Sequence, residues 1–401
     1  MNITGIITEY NPFHNGHEYH LEKAKSSTDC DGVICIMSGN FVQRGEPAII
    51  DKWQRTSMAL KNGVDLIIEL PTYYALSSAE FFAEGSVSIL NALGVVNNIF
   101  FGSESGDIDL LSTIAKTLVL EDPSFKSLLK AYLNKGLTFA KARELALIEF
   151  LNNETLTEIL SSSNNILGIE YLKALFKLNS TILPKTLKRE GANYNEKNLT
   201  TAFASATSIR EAIKSNKTLN NLDNFMPKPS LELFTQLQEK EYPFVFSEDM
   251  FKFIKLKLLT NCINFNNLSE AKEGLDNKLL KEIITSNSYD QFIFNIKSKR
   301  YTYTKISRLL TQIFIGFDNN TFKSIDINEH LYARVLGFNK KGRDMLSIIK
   351  QSSSIPLITK IPKHTDNPLL LLDIQATKAY SILNNKVDPR SDYLISPIIN
   401  L

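Results

Sequence analysis

The sequence predicts an α/β fold: a parallel sheet with helices on both faces over residues 1–215, followed by a mostly helical, basic domain over residues 216–401. Three observations predict it. Short apolar runs alternate with amphipathic segments through the first hundred residues, and helical patterning takes over from Leu110. The charge also divides unevenly, with 23 Lys/Arg against 30 Asp/Glu in residues 1–250 and 22 against 13 in residues 251–401, a division that the net charge of +2 conceals. Alternating strand and helix signals argue for parallel pairing, because parallel neighbours need a long crossover and a helix is the usual one.

In order along the chain, "NITGIITEY" is apolar and β-branched and reads as the first strand, with a helix following from Gly16. "GVICIMSG" is the second strand. "DKWQRTSMALKNG" is a helix closed by Gly63, "VDLIIELP" a strand stopped by Pro71, "SSAEFFAEGSVSILNALG" a helix, and "VVNNIFFGSE" a fourth strand. Leu110 to Leu178 is mostly helical. A short apolar piece, "STILPKTLKRE", precedes "SATSIREAIKSN", a helix with a Ser/Thr-rich entry and Arg210 in its first turn. Asn and Pro in "LNNLDNFMPKPS" mark a linker. Beyond it the chain is largely helical until "LYARVLGFNKKGRDMLSIIK", a strand, a basic Gly-containing turn and a helix.

Composition narrows the function classes. With 401 residues, 43% hydrophobic and 22% charged, the chain can build two or three cores and does not match disordered proteins. No apolar run reaches the ~18–20 residues that span a bilayer, and the N-terminus lacks the basic start of a signal peptide, so a cytoplasmic protein without a membrane partner is expected. Cys30, Cys35 and Cys262 are too scattered for a disulfide framework or a zinc site and are expected to be packing residues. No Asp/Glu/His cluster has metal-ligand spacing, so no metal site is expected. A basic segment joined to an acidic one hints at a polyanionic partner, although solvated faces produce such imbalances too.

The chemistry concentrates in "GIITEYNPFHNGHEYHLEKA", which carries His14, His17 and His20 out of five histidines. Ligands of open parallel sheets bind beyond the carboxyl ends of the strands, where this stretch lies. Gly16 permits close approach, and the helix beginning there aims free N–H groups and a positive dipole end at the crevice. Two imidazoles beside that anion site can donate to phosphate oxygens and stabilise charge on an attacked α-phosphorus and on departing pyrophosphate. The plain alternative is a pair of helix-capping histidines. The preceding strand, Pro12, Phe13 and a third histidine one turn on weigh against it. Lys23 can reach a phosphate or simply be solvated.

"TEYNPFHNGH" resembles the first signature of the HIGH-type nucleotidylyltransferases, G-x-F-D-P-x-H-x-G-H, and "SATSIR" resembles their second. Together with "SGNFVQRGEPAIIDKWQR", "GVDLIIELP", "FFGSES", "SNNILGIEYLKAL", "YTYTKISRLL", "RVLGFNKKGRDML" and "DIQATKAYSIL", these stretches resemble the bacterial tRNA(Met) cytidine acetate ligase family over most of the chain. The resemblance implies a Rossmann-like catalytic domain and an ATP-dependent ligase. Such an enzyme forms acetyl-adenylate and pyrophosphate from acetate and ATP, with Mg²⁺ carried by the ATP phosphates. It then acetylates the wobble cytidine of elongator tRNA(Met) to N(4)-acetylcytidine.

The resemblance also implies residue roles. His14, His17 and Arg210 are the expected catalytic residues, Arg210 as a charged fork on the β- or γ-phosphate. ATP is expected along Ile7, Thr8, Glu9, Tyr10, Asn11, Pro12, Phe13, Asn15, Gly16, Glu18, Tyr19 and His20, and at Gly102, Asn165, Arg189, Glu190, Thr207 and Ser208, with the Ser205 hydroxyl nearby. Asn11 replaces the Asp of the broad signature, which removes a carboxylate there. Gly39, Asn40, Gln43 and Arg44 are candidates for an acetate or cytidine pocket, a structural Gly/Pro loop being the alternative. Lys299, Arg300, Lys305 and Arg308, near the stacking faces of Tyr301 and Tyr303, and the turn Lys340, Lys341 and Arg343, are candidates for tRNA, or for ordinary solvated faces. The oligomeric state is open. Two rival readings are a small-molecule adenylyltransferase of the same superfamily, which would need no basic domain, and a nucleotide-sensing RNA-binding module without catalysis.

Overall fold

Strands covered on both faces read as unbroken apolar runs, and "GVICIMS" (Gly32–Ser38) is buried at every position, as is "LIIEL" (Leu66–Leu70). In the computed structural model, which describes residues 1–189, 204–216, 222–268, 270–272, 274–298, 300–323 and 325–400, both are central strands of an eight-stranded sheet. The strands are β1 (Ile3–Thr8), β2 (Gly32–Ser38), β3 (Phe41–Val42), β4 (Glu46–Pro47), β5 (Leu66–Leu70), β6 (Asn98–Ser103), β7 (Leu183–Lys188), β8 (Ala333–Asn339), β9 (Leu357–Ile358) and β10 (Ile398–Asn400). Their order is β10-β8-β5-β2-β1-β6-β7 with β9 beside β8, while β3 and β4 form a separate antiparallel ribbon.

From β5 to β7 all pairs are parallel, Ile3 facing Gly32 and Thr8 facing Met37 between β1 and β2. The chain steps from β1 to β2 and β5 on one side, then returns to place β6 and β7 on the other. The order therefore reverses at β1, and a crevice opens at the carboxyl ends of β1 and β6.

The expected second domain does not stay apart. Residues 333–400 return to the first sheet, with β8 antiparallel to β5 and β9 and β10 parallel to β8. Four buried charges lie where β8 meets β5. Lys52 Nζ lies 2.7 Å from both Glu69 Oε1 and Asp392 Oδ1, and Arg334 lies 2.9 Å from Glu69 Oε2 and from Asp392 Oδ1. Alternation of two cations with two carboxylates satisfies charges that the interior could not hold singly. Burial would raise the Asp392 carboxyl, but Lys52 and Arg334 hold it at about 2. Between the two sheet contributions lie the helices Lys228–Glu239, Ser247–Leu259, Leu275–Glu282, Tyr289–Ile296 and Tyr303–Ile315.

The linker around residue 222 is also structural: Asn15 donates from its backbone to Phe225 O at 3.0 Å and from its side chain to Asn224 O at 2.9 Å. Helix Ala206–Asn216 puts Arg210 at its fifth position, past the first turn. Among the cysteines Cys35 is buried, with its thiol pushed up to about 12, but Cys262 is exposed, its sulfur beside Thr260, and is not a core packing residue. Among the described residues no helix is long and apolar enough to cross a membrane.

Candidate active site

The turn after β1 is built by its own histidines. His14 is the N-cap of helix Asn15–Thr28, extended at φ −134° and ψ 173°, and its Nδ1 accepts from Gly16 N at 3.1 Å. His17 returns the bond, its Nδ1 accepting from His14 N at 3.3 Å, so two imidazoles form a reciprocal capping box. A Cβ on Gly16 would lie 2.9 Å from His14 Cε1, and its absence lets the ring close over the helix end. The rings stack with centroids 3.8 Å apart.

With its Nδ1 accepting from the Gly16 N–H, the neutral His14 ring carries its proton on Nε2 and donates from there, whereas the His17 ring also bonds the Pro12 carbonyl inside the turn. Burial and then the Arg189 and Arg210 charges lower His14 to about 3, and burial and Arg189 lower His20 to about 4. His17 is held well below its ordinary range by burial and by the neighbouring histidines and Arg189. All three rings are neutral near pH 7.

These rings line a cleft of about 230 Å³ at the carboxyl ends of β1 and β6. Within residues 7–20, Pro12, Phe13, Asn15 and Glu18 are not among its lining residues; Phe13 is wholly buried, its ring 4.6 Å from that of Tyr10. Gly102 and Arg189 join the cleft from β6 and the end of β7, and a Cβ on Gly102 would lie 3.2 Å from Arg189 Cγ. Phe82, Phe101, Leu167, Tyr171 and Leu187, none of them singled out from sequence, give it an apolar side.

Several candidates have hydrogen bonds committed within the fold, although Ser205 also lines the cleft. Asn165 is buried away from the cleft, its Oδ1 accepting from Ser105 N at 3.0 Å and its Nδ2 donating to Ile159 O at 3.2 Å, while its neighbour Asn164 lines the cleft. Ser205 caps helix Ala206–Asn216, accepting from Ser208 N at 3.1 Å, and the Ser208 hydroxyl donates back to Ser205 O at 2.8 Å. Arg210 donates to Asn11 O at 2.8 Å, reaches Thr207 Oγ1 at 3.4 Å and pairs with Glu46 Oε2 at 2.9 Å. Glu190 and Lys299 lie outside the described residues.

Of the "SGNFVQRGEP" candidates, Gln43 reaches the cleft, and its N–H donates to Glu9 Oε1 at 2.9 Å. The Arg44 charge acts on Glu9 as well. Gly39 and Asn40 turn inward: Gly39 O accepts from Arg55, and Asn40 bonds Lys52 N at 2.8 Å and Thr377 Oγ1 at 3.2 Å. Arg55, fully buried and missed by sequence reasoning, also donates to Glu9 O at 2.7 Å and Ser38 O at 2.9 Å. It ties together the carboxyl ends of β1 and β2. Its sequence signal was an arginine one turn into a helix face that is mostly apolar but also carries Lys52 and Thr56.

The basic candidates divide in the same way. Arg308 is buried and paired with Glu270 at 3.3 Å, so it presents no free charge, and Tyr301 is buried. Arg300 and Lys305 each lie 5.9 Å from the Tyr301 ring centre. The Tyr303 hydroxyl donates to Glu46 Oε1 at 3.4 Å, which brings helix Tyr303–Ile315 to the carboxylate that holds Arg210. Lys340, Lys341 and Arg343 are exposed but sit at the other end of the sheet, because β8 runs antiparallel to β5 and Phe338 faces Leu66 at the start of that strand. A strand length of about 20 Å separates them from the cleft.

Known proteins share this architecture. A family model described as HIGH Nucleotidyl Transferase matches residues 1–393. A tRNA(Met) cytidine acetate ligase of Clostridium novyi is 54% identical over 401 residues, covering 99% of each chain, and one of Clostridium botulinum is 51% identical over 404 residues, covering 100% of this chain and 98% of the relative. Among solved structures, Thermotoga maritima TmcAL bound with alpha-thio ATP is 34% identical with a TM-score of 0.89, and its apo form has a TM-score of 0.91; both cover 100% of this chain and 99% of the other.

Proposed function

We infer, from the premise that this chain belongs to the HIGH nucleotidyl transferase family and within it to the tRNA(Met) cytidine acetate ligases, how its cleft performs a ligase reaction on ATP, acetate and tRNA(Met). The enzyme is an ATP-binding tRNA-modifying ligase. In the proposed first step, acetate oxygen attacks the α-phosphorus of ATP, forming acetyl-adenylate and releasing pyrophosphate. In the second, the exocyclic amine of the wobble cytidine of elongator tRNA(Met) attacks the acetyl carbonyl, giving N(4)-acetylcytidine and AMP.

The observation that carries this reading is the reciprocal cap of His14 and His17, which seats two neutral imidazole rings, His14 with its remaining N–H as a donor, at a helix N-terminus lining the cleft. Such a donor stabilises charge that grows on phosphate oxygens in the transition state without itself having to ionise. Arg210 adds a further donor once a phosphate replaces Glu46 as its partner. Mg²⁺ belongs to the same proposal. Glu9 is the one carboxylate among the described residues lining the cleft, which suits an ion held by the triphosphate. The apolar side of the cleft offers the acyl-adenylate a site shielded from water. For tRNA, Arg300 and Lys305 are the proposed phosphate contacts near the site.

Purified protein tested for pyrophosphate release with and without acetate and elongator tRNA(Met), followed by nucleoside mass analysis, tests the reading. Acetate-dependent release and a cytidine heavier by one acetyl group are expected. Release that ignores acetate but responds to a phosphorylated metabolite would instead assign a small-molecule adenylyltransferase.

A further inference from the structure

The second step sheds a proton, and the two histidines cannot take it. Cytidine N4 is a weak nucleophile whose lone pair is delocalised into the ring, so its N–H must be relieved as the new C–N bond forms. His14 and His17 have their Nδ1 atoms committed to backbone N–H groups, and the His17 ring also bonds the Pro12 carbonyl, so neither Nδ1 is free to accept a proton. Among the described residues lining the cleft there is one carboxylate, Glu9, at the carboxyl end of β1. Its Oε1 is fixed by the Gln43 N–H at 2.9 Å, and its carbonyl is held by Arg55 at 2.7 Å, so both backbone and side chain are positioned.

Phosphates repel a carboxylate unless a cation lies between them, and the same carboxylate is a natural acceptor for a cytosine N4 amine. Resting on the ligase reading above, we infer that Glu9 is the proton acceptor of acetyl transfer, binding N4–H of the target cytidine and taking its proton. The bonds balance. The N4 lone pair forms the C–N bond to the acetyl carbon, the C–O bond to the AMP phosphate breaks with its electron pair leaving on phosphate, and the N4 proton passes to the Glu9 carboxylate, which later returns it to solvent.

The surroundings tune Glu9 for this. Burial raises it above the ordinary 4.5 and the Glu46 charge on the ribbon adds to the rise, against Arg44 on the ribbon, the Gln43 N–H and Arg210 on helix Ala206–Asn216, which lower it. Arg55 on helix Lys52–Lys61 also interacts electrostatically with Glu9, and Lys188 and Arg189 line the same cleft from the end of β7. Burial therefore outweighs the neighbouring cations and favours uptake of a proton by Glu9, whereas burial disfavours it at His14 and His20.

The test uses the full-length protein and separates the half-reactions, with acetate-dependent ATP–pyrophosphate exchange for the first and single-turnover acetylation of tRNA(Met) by added acetyl-adenylate for the second. Wild-type transfer should rise with pH through a single ionisation to a plateau. Glu9→Gln should lose about 10²–10³-fold in transfer and lose the pH step, with a loss in exchange at least ten times smaller. Glu9→Asp should recover part of the rate together with the step. Equal losses in both half-reactions, or a pH step that survives in Glu9→Gln, would overturn the assignment while leaving the ligase reading intact. Wild-type protein without acetate-dependent exchange would overturn both.

Discussion

His14 shows at a single residue how structure and chemistry share one side chain. Its Nδ1 stabilises the helix as an N-cap while the same ring lines the cleft with its other nitrogen unused by the cap. Asn is also a good N-cap but is too short to present a donor at the same point, so His14→Asn separates the two roles. We expect thermal stability within about 0.5 kcal/mol of wild type and a loss of about 10²–10³ in acetate-dependent pyrophosphate release; an active His14→Asn would sink the donor assignment. Acid gives a second expectation. The folded rings at about 3 and about 4 lie below the ordinary 6.5, so the unfolded chain takes up protons that the folded chain refuses. Stability from these groups is therefore complete above pH 6.5 and falls toward pH 4, by up to about 1.4 kcal/mol per pH unit for each ring. Urea titrations across that range should show a shallower slope in His14→Asn than in wild type.

Among the elements, the β3–β4 ribbon decides how the two halves of the chain meet at the cleft. Gly45, at φ +78°, seats its carbonyl on the Ser307 and Thr311 hydroxyls at 2.7 and 2.6 Å, and a Cβ there would lie 2.2 Å from the Arg308 backbone nitrogen. Backbone cannot yield as a flexible side chain could, so Gly45→Ala should cost about 2–3 kcal/mol and release helix Tyr303–Ile315, as limited proteolysis would register. On the same ribbon Glu46 holds Arg210. Glu46→Gln removes the ion pair but keeps the shape, and the KM for ATP should fall several-fold because Arg210 no longer has to leave a carboxylate; an unchanged KM would mean that Arg210 does not exchange Glu46 for phosphate. The strands and helices of the first hundred residues were legible because apolar periodicity and Gly/Pro stops are local signals. The histidine box was legible as a motif but not as a reciprocal cap, since that depends on rotamers. Arg308 and Asn165 could not be told from solvated or capping residues because their partners, Glu270 and Ser105, lie 38 and 60 positions away. Part of the basic excess is likewise spent inside the fold, as with Lys257, which donates to the last carbonyls of helix Tyr303–Ile315 at 2.9 and 3.0 Å.

For the whole molecule, the return of β8 to β5 makes the two expected domains share one sheet. β5 without β8 would be an exposed apolar strand edge, a template for aggregation. It would also carry Glu69 and Lys52 stripped of Arg334 and Asp392, two of the four charges in a network that is at most 3% exposed. Removing one member leaves an uncompensated buried charge, so Lys52→Met should cost about 3–5 kcal/mol. The crevice at β1 and β6 lies on the far side of the sheet's centre from that edge, and local reasoning would let residues 1–215 fold and bind ATP alone. The shared sheet argues otherwise. A fragment of residues 1–215 loses β8, the linker carbonyls that hold Asn15, and the helix that seats Gly45, each a support of the histidine turn or of the ribbon beside it. Such a fragment should be aggregation-prone and show no cooperative thermal transition. Mixing it with a separately expressed 216–401 fragment should restore a transition only if the two associate. A 1–215 fragment that melts cooperatively and binds ATP would show that the sheet is complete without its antiparallel edge, and that the buried network serves only to dock a second domain.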